Sequence, residues 1–181
     1  MPHLVDASIT ATFNQEDNFL SSISSIKYLQ LYLLDPPWWC NTVTYSRLIE
    51  CCISNFDPEW CESLVVFLSN CPKLKVFRVD SIDRSENHVP VLWNQPTSVP
   101  ECLSYCLEFF RWTKYAGRED EKQLIWYIVQ NSKCLKRAKI WLKSTCNLEE
   151  KRKMTKELKS LPKVLTSASI PDPPARWKNI V

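Results

Sequence analysis

The chain has 181 residues, 45% of them hydrophobic and 12% aromatic, with a formal net charge of +3 at neutral pH. That is enough apolar content for a packed core and too much for global disorder. No stretch approaches the ~18 uninterrupted apolar residues of a membrane-spanning helix. With one glycine in the sequence, neither a Walker loop nor a dinucleotide fingerprint can be built, because both need several close backbone approaches to phosphate.

The first predicted strand lies at Leu4/Ala7/Ile9, and its pattern of apolar-x-x-apolar-x-apolar then recurs. It returns at Ile26/Leu29/Leu31, Leu48/Cys51/Ile53, Leu74/Phe77/Val79, Leu107/Phe110/Trp112, Leu135/Ala138/Ile140 and Leu165/Ala168/Ile170, in steps of 22, 22, 26, 33, 28 and 30 residues. One match means little in so apolar a chain, whereas seven in order at this spacing indicate an irregular leucine-rich-repeat solenoid. The expected fold is therefore α/β: short strands stack in parallel into one sheet, and the returning segments cover it on the outer side, as helices where they are long enough.

The returns differ. Asp35-Pro36-Pro37-Trp38-Trp39 reads as a loop. Asp57-Pro58 reads as an N-cap acid followed by proline at the first helical position, with Trp60, Leu64, Leu68 and Cys71 as the buried stripe and Pro72 as the stop. Residues 80–100 read as a long polar connection that ends extended, and such loops commonly carry recognition.

The densest stretch is Trp93 to Ser144, a strand–turn–helix–strand unit. Leu107 to Trp112 alternates like a part-buried strand. Gly117 sits at the turn, where it can take a positive φ. Glu119, Asp120 and Glu121 oppose the helix dipole in the first turn. Leu124, Ile125, Tyr127, Ile128 and Val129 share a broad apolar face, and Leu135 to Trp141 opens the next strand. A last helix is capped by Asn147 with Glu150 in capping-box position, buries Met154, Leu158 and Leu161, pairs Glu149 with Lys153, and is closed by Pro162. PDPPARWKNIV, at 171–181, reads as a flexible tail.

Candidate chemistry is sparse. His3 and His88 belong to no nucleophile–base motif, so no catalytic residue is expected. The nine cysteines come closest to ligand spacing at Cys102-x-x-x-Cys106 and Cys51-Cys52, which do not supply two close pairs of donors. Neither metal nor cofactor is expected. An odd count with no secretory signal in MPHLVDASITATF predicts reduced, buried thiols and an intracellular protein, in cytoplasm or nucleus.

Charge is uneven: residues 1–117 carry 8 Lys/Arg and 13 Asp/Glu, and residues 118–181 carry 15 and 7. Lys133, Lys136, Arg137, Lys139 and Lys143 gather around the Trp141 strand, and Lys151, Arg152, Lys153, Lys156 and Lys159 follow. Basic residues beside aromatics suit a phosphate backbone, but the second run alternates with acids, which favours a solvated face. Nucleic acid is thus the rival to a protein partner. Eight tryptophans favour protein recognition. Trp126, pointing away from the Leu124/Ile128 stripe, is the first candidate, with Trp38, Trp39, Trp141 and Lys139 behind it.

Trp93, Pro96, Val99, Pro100, Cys102, Leu103, Leu107, Glu108, Phe110, Trp112, Tyr115, Gly117, Glu121, Tyr127, Ile128, Asn131, Leu135, Lys136, Ala138 and Ile140 stand in an order that resembles the plant FBD domain. EEKRKMTKELKSLPK resembles the segment that follows it, and CPKLKVFRVD is similar to the repeats that precede it in F-box/LRR/FBD proteins. The resemblance spans roughly residues 20–170 and divides the chain into a repeat region at 1–92, an FBD domain at 93–144, a closing helix and strand at 145–170 and the tail. Most of the motif residues suit a structural role.

What the resemblance implies is the substrate-recognition part of a ubiquitin-ligase receptor, non-enzymatic, with an unidentified protein target. No Leu-Pro-opened F-box helix is read in the sequence, so a Skp-type adaptor is not expected to dock. A stand-alone interaction or nucleic-acid-binding module, or a family member without retained activity, stays open beside it.

Overall fold

The computed structural model describes residues 5–11, 23–33, 43–57, 60–81, 93 and 95–167. Expectations for Leu4, His3, His88, the 35–39 loop with Trp38 and Trp39, Pro58, most of the 80–100 connection, Ala168, Ile170 and the tail lie outside these residues.

Seven strands form one sheet in sequence order, every neighbouring pair parallel. They are β1 (Asp6–Ala11), β2 (Tyr28–Leu33), β3 (Glu50–Phe56), β4 (Val76–Ser81), β5 (Phe109–Tyr115), β6 (Arg137–Leu142) and β7 (Val164–Ser167). Among the described residues four helices lie between them: α1 (Cys61–Ser69) before β4, α2 (Glu101–Tyr105) before β5, α3 (Glu119–Asn131) before β6 and α4 (Leu148–Leu158) before β7. The leucine-rich-repeat solenoid read from the sequence is this architecture.

The repeat pattern sets the register. Leu29, Cys51, Phe77, Phe110 and Ala138 are consecutive pairing partners, and so are Leu31, Ile53, Val79, Trp112 and Ile140. All ten are buried. A parallel strand points alternate side chains to opposite faces, so these two rows make the sheet's inner face. The position opening each pattern (Ile26, Leu48, Leu74, Leu107, Leu135) is buried beside them. Phe77 and Phe110 stack with centroids 6.0 Å apart and planes 18° apart.

Backbone hydrogen bonds repeat with the same period. Just before each of β1 to β5, one carbonyl receives two successive amides of the next repeat. The Val5 carbonyl accepts from Lys27 and Tyr28, Lys27 from Ile49 and Glu50, Ile49 from Lys75 and Val76, Lys75 from Glu108 and Phe109, and Glu108 from Lys136 and Arg137. Ile26, Leu48, Leu74 and Leu135 each donate from N–H to a carbonyl three residues back, which turns the chain into the strand.

The helices cover the inner face. α1 buries Cys61, Leu64, Val65, Phe67 and Leu68, and α3 buries Leu124, Ile125, Tyr127, Ile128 and Val129, all in one core with the strand rows. The α-helical run of α1 opens after Trp60, whose amide donates to the Asp57 carbonyl over 2.9 Å, and Asp57 is fully buried. The one-turn helix α2, absent from the sequence reading, follows directly on the segment read as extended. Pro100 ends the extended run, and Cys102 and Leu103 are driven into the core, the Cys102 thiol donating to the Leu68 carbonyl over 3.3 Å.

The seventh repeat corrects the sequence reading. Ala138 pairs with Val164 and Ile140 with Thr166, so the pattern is Leu161/Val164/Thr166 rather than Leu165/Ala168/Ile170. Leu161 is 6% exposed and Leu165 55% exposed. The shift arises because Leu161, expected on the helix, opens the strand instead: its amide donates to the Leu158 carbonyl, the same turn that precedes the other strands.

Leu161→Ala is expected to cost about 2–5 kcal/mol, as buried leucine truncations do, and Leu165→Ala less than about 0.5 kcal/mol. Urea unfolding of both variants checks this, and the reverse order would restore the original register.

Candidate functional site

The opposite face of the sheet has no helix over it among the described residues. Its side chains come from the positions between the inward ones, and the register aligns them. Gln30, Cys52, Arg78, Arg111 and Lys139 are consecutive partners along the middle row. Tyr28, Glu50, Val76, Phe109 and Arg137 flank them on one side, and Tyr32, Ser54, Asp80 and Thr113 on the other. Trp141 stands one strand beyond Thr113, on the same face as Lys139 by alternation, and is buried without belonging to the core.

Three cations therefore meet on neighbouring strands, packed on aromatic rings. The Arg78 guanidinium lies 5.8 Å from the Phe109 ring centre, that of Arg111 lies 5.9 Å from the Trp141 ring, and the Lys139 ammonium lies 5.7 Å from the same ring. Each such contact is worth about 0.5–1 kcal/mol at an exposed site. Their charges are answered unequally. Arg78 forms an ion pair with Glu50, and Asp80 takes the Lys114 ammonium at 3.5 Å and the Thr113 hydroxyl.

Arg111 and Lys139 form no ion pair among the described residues. Burial, with Arg78 beside it, disfavours the Arg111 cation, while Cys52 and Asp80 support it. Its Nε is buried with no hydrogen-bond partner. Burial pushes the Cys52 thiol up despite both arginines, so it stays protonated. Along the strand starts, Lys75, Glu108 and Lys136 alternate in sign. Lys136 is thereby neutralised, and its ammonium draws the Glu108 carboxyl below its usual range.

The structure unites Lys139 and Trp141 and separates them from Trp126. Trp126 is 37% exposed on α3, on the helical side, over a groove lined by Glu119, Lys122, Gln123 and Glu157. Lys122 bridges there to Glu157 over 3.2 Å and to Glu119 over 3.7 Å, so one ammonium answers two carboxylates. The α4 charges do not alternate into one mixed face. Lys151, Arg152, Lys156 and Lys159 line a second groove with Leu142, Leu148, Thr155 and Thr166, while Glu150 caps the helix at Asn147 and Glu157 faces Lys122.

Arg78, Phe109 and Arg111 were missed in the sequence reading. The signal was present: each occupies a variable position of the repeat template, and a commitment to the parallel register aligns Arg78, Arg111 and Lys139 without further information.

Most of the motif residues are buried, among them Trp93, Cys102, Leu107, Phe110, Trp112, Tyr115, Leu135 and Ile140. Trp93 meets Tyr127 edge-on at 5.2 Å, and Val99 is 39% exposed. Cys51 and Cys52 point to opposite faces, and Cys134 is exposed against the expectation of burial. Among the described residues no group of His, Cys, Asp or Glu is placed to hold a metal ion, and no helix is long and apolar enough to cross a membrane.

The turn after β5 carries the buried charge of the unit. Gly117 has φ 77°, and a Cβ there would lie 2.9 Å from the Met154 sulfur. Glu121 reaches back from α3, its Oε2 accepting the amides of Ala116 (2.9 Å) and Arg118 (3.1 Å) on either side of the glycine. Burial pushes the Glu121 carboxyl up to about 7, although Arg118 and the two amides favour its charged form.

Residues 95–140 match the FBD family profile. Over 92% of its length the chain is 51% identical to a putative F-box/FBD/LRR-repeat protein of Arabidopsis thaliana, covering 37% of that relative. A putative FBD-associated F-box protein of the same plant is 40% identical over 94% of the chain and 41% of its own length. An F-box/FBD/LRR-repeat protein from it is 33% identical over 94% and 42%. The chain thus spans about two fifths of the relatives it matches. No solved structure matches it.

Because the Glu121 carboxyl titrates higher in the folded chain than the 4.5 of a free side chain, the folded state holds the extra proton between those values. Its stabilising contribution is full below about 4.5 and lost as pH rises through about 7. The stability difference between wild type and Glu121→Gln should fall from pH 5 to pH 7 and level off above, measured by urea unfolding across pH. A difference independent of pH would contradict the assignment.

Proposed function

Taking membership of the plant F-box/FBD/LRR family as the premise, we propose that the chain is a non-enzymatic protein-binding module that holds its partner on the open face of the sheet. In the full-length relatives, whose names carry an F-box, this region would present a target for ubiquitination. The observation that carries the reading is the asymmetry of the sheet. Helices bury the inner face, whereas the other bears Tyr32, Arg78, Phe109, Arg111, Lys139 and Trp141 in register. Aromatic and arginine side chains are the types that dominate binding energy in interfaces, and here a rigid hydrogen-bonded sheet fixes them, which lowers the entropy lost on binding.

Cys52 is the one thiol of this face among the described residues, and burial keeps it protonated.

The test is affinity capture from plant extract with the immobilised chain, scored separately for a Skp-type adaptor and for other proteins. Lys139→Glu and Trp141→Ala should each reduce target capture by about tenfold or more with folding intact by circular dichroism, and Trp126→Ala should leave it unchanged. The adaptor should be absent from the eluate. Loss on Trp126→Ala with no effect of the two sheet variants would move recognition to the helical side and overturn the assignment.

A further inference from the structure

The middle row of the open face carries a charge arrangement that the chain itself does not complete. Adjacent strands of a parallel sheet run about 4.8 Å apart, so Arg78, Arg111 and Lys139, direct partners across β4, β5 and β6, set three like charges side by side. Like charges directly opposite each other on a sheet are unfavourable. Glu50 relieves the first of them. The other two share the Trp141 ring and form no ion pair among the described residues, Asp80 acting on Arg111 only at longer range, and the Arg111 Nε is a buried donor with no hydrogen-bond partner among those residues. A buried unpaired donor is costly, and the cost is recovered when an acceptor arrives.

We propose that this site takes an extended acidic segment of a partner protein, with one Asp or Glu carboxylate seated between Arg111 and Lys139 and a neighbouring apolar side chain laid on Phe109. This rests on the reading of the open face as the recognition surface and adds the partner's chemistry. A carboxylate answers each deficit at once: it accepts from the guanidinium fork, screens Lys139 from Arg111, and leaves both cations on the indole.

The surroundings favour spaced carboxylates over a nucleic acid. Glu50 and Asp80 stand on the two sides of the cationic row, and Glu108 lies at the strand starts. A phosphate backbone, charged at every step, would meet these acids in any direction except straight across the strands. A peptide places single acids among neutral residues and avoids them.

The experiment pans the whole chain against a random octapeptide display library, and then measures the best enriched peptide, synthesised and fluorescein-labelled, by anisotropy. Enriched sequences should carry Asp or Glu beside an apolar or aromatic residue. Arg111→Gln and Lys139→Gln should each weaken binding about tenfold, Arg111→Lys less than Arg111→Gln, and Trp126→Ala not at all, with every variant matched to wild type by circular dichroism and thermal unfolding.

Enriched peptides without acids whose binding still falls on Trp141→Ala would overturn the acidic chemistry and leave the sheet face standing as the recognition surface. Peptides that respond only to Trp126→Ala would overturn both. No enrichment at all, or poly(U) RNA binding in an Arg111-dependent way and more tightly than any peptide, would overturn the acidic-segment inference.

Discussion

The structure depends on one constraint, the stacking of inward apolar side chains in a fixed parallel register. A single strand such as Val76–Ser81 cannot bury Phe77 and Val79 by itself; it does so only between Cys51 and Ile53 on one side and Phe110 and Trp112 on the other. Because side chains alternate with period two, a slip of one residue would expose the whole inner row. The repeated carbonyl that accepts two successive amides holds that register at the starts of β1 to β5. The helices are consequences of the same constraint, supplying Phe67, Leu68, Leu124 and Ile128 to close the inner face.

The same register composes the outer face. Where Phe77 must meet Phe110, Arg78 must meet Arg111, and where Trp112 must meet Ile140, Lys139 and Trp141 must flank them. The inner rows are apolar and buried. The outer face instead sets a row of like charges side by side, two of them sharing one indole. Local conflict within an otherwise consistent fold marks a functional site.

The fold was legible because its signal is periodic. Leucines, isoleucines and aromatics at the template positions gave six repeats in register, and Asn147, Glu150 and Gly117 announced their cap and turn in residue type alone. The seventh repeat was misplaced because Leu165/Ala168/Ile170 satisfies the template at all three positions, whereas Leu161/Val164/Thr166 carries a threonine at the third. Only the turn from Leu158 decides between them. α2 was missed because ECLSY has too few residues for a helical period, and tertiary burial of Cys102 and Leu103 forms it.

The site was less legible. Trp126 was conspicuous by its helical angle, and Lys139 and Trp141 by their local charge. Arg78 and Arg111 lie 33 positions apart in the sequence and become neighbours only through strand pairing. Charge counted along the chain therefore gave the wrong grouping, uniting Lys139 with Lys136, which Glu108 neutralises.

Interstrand NMR contacts in isotope-labelled protein test the central claim most directly. Backbone nuclear Overhauser effects should link Arg78 to Arg111 and Arg111 to Lys139 in the parallel pattern, with the Arg111 side chain contacting the Trp141 indole. Antiparallel contacts among these strands, or Arg111 paired with an inward residue of β6, would contradict it.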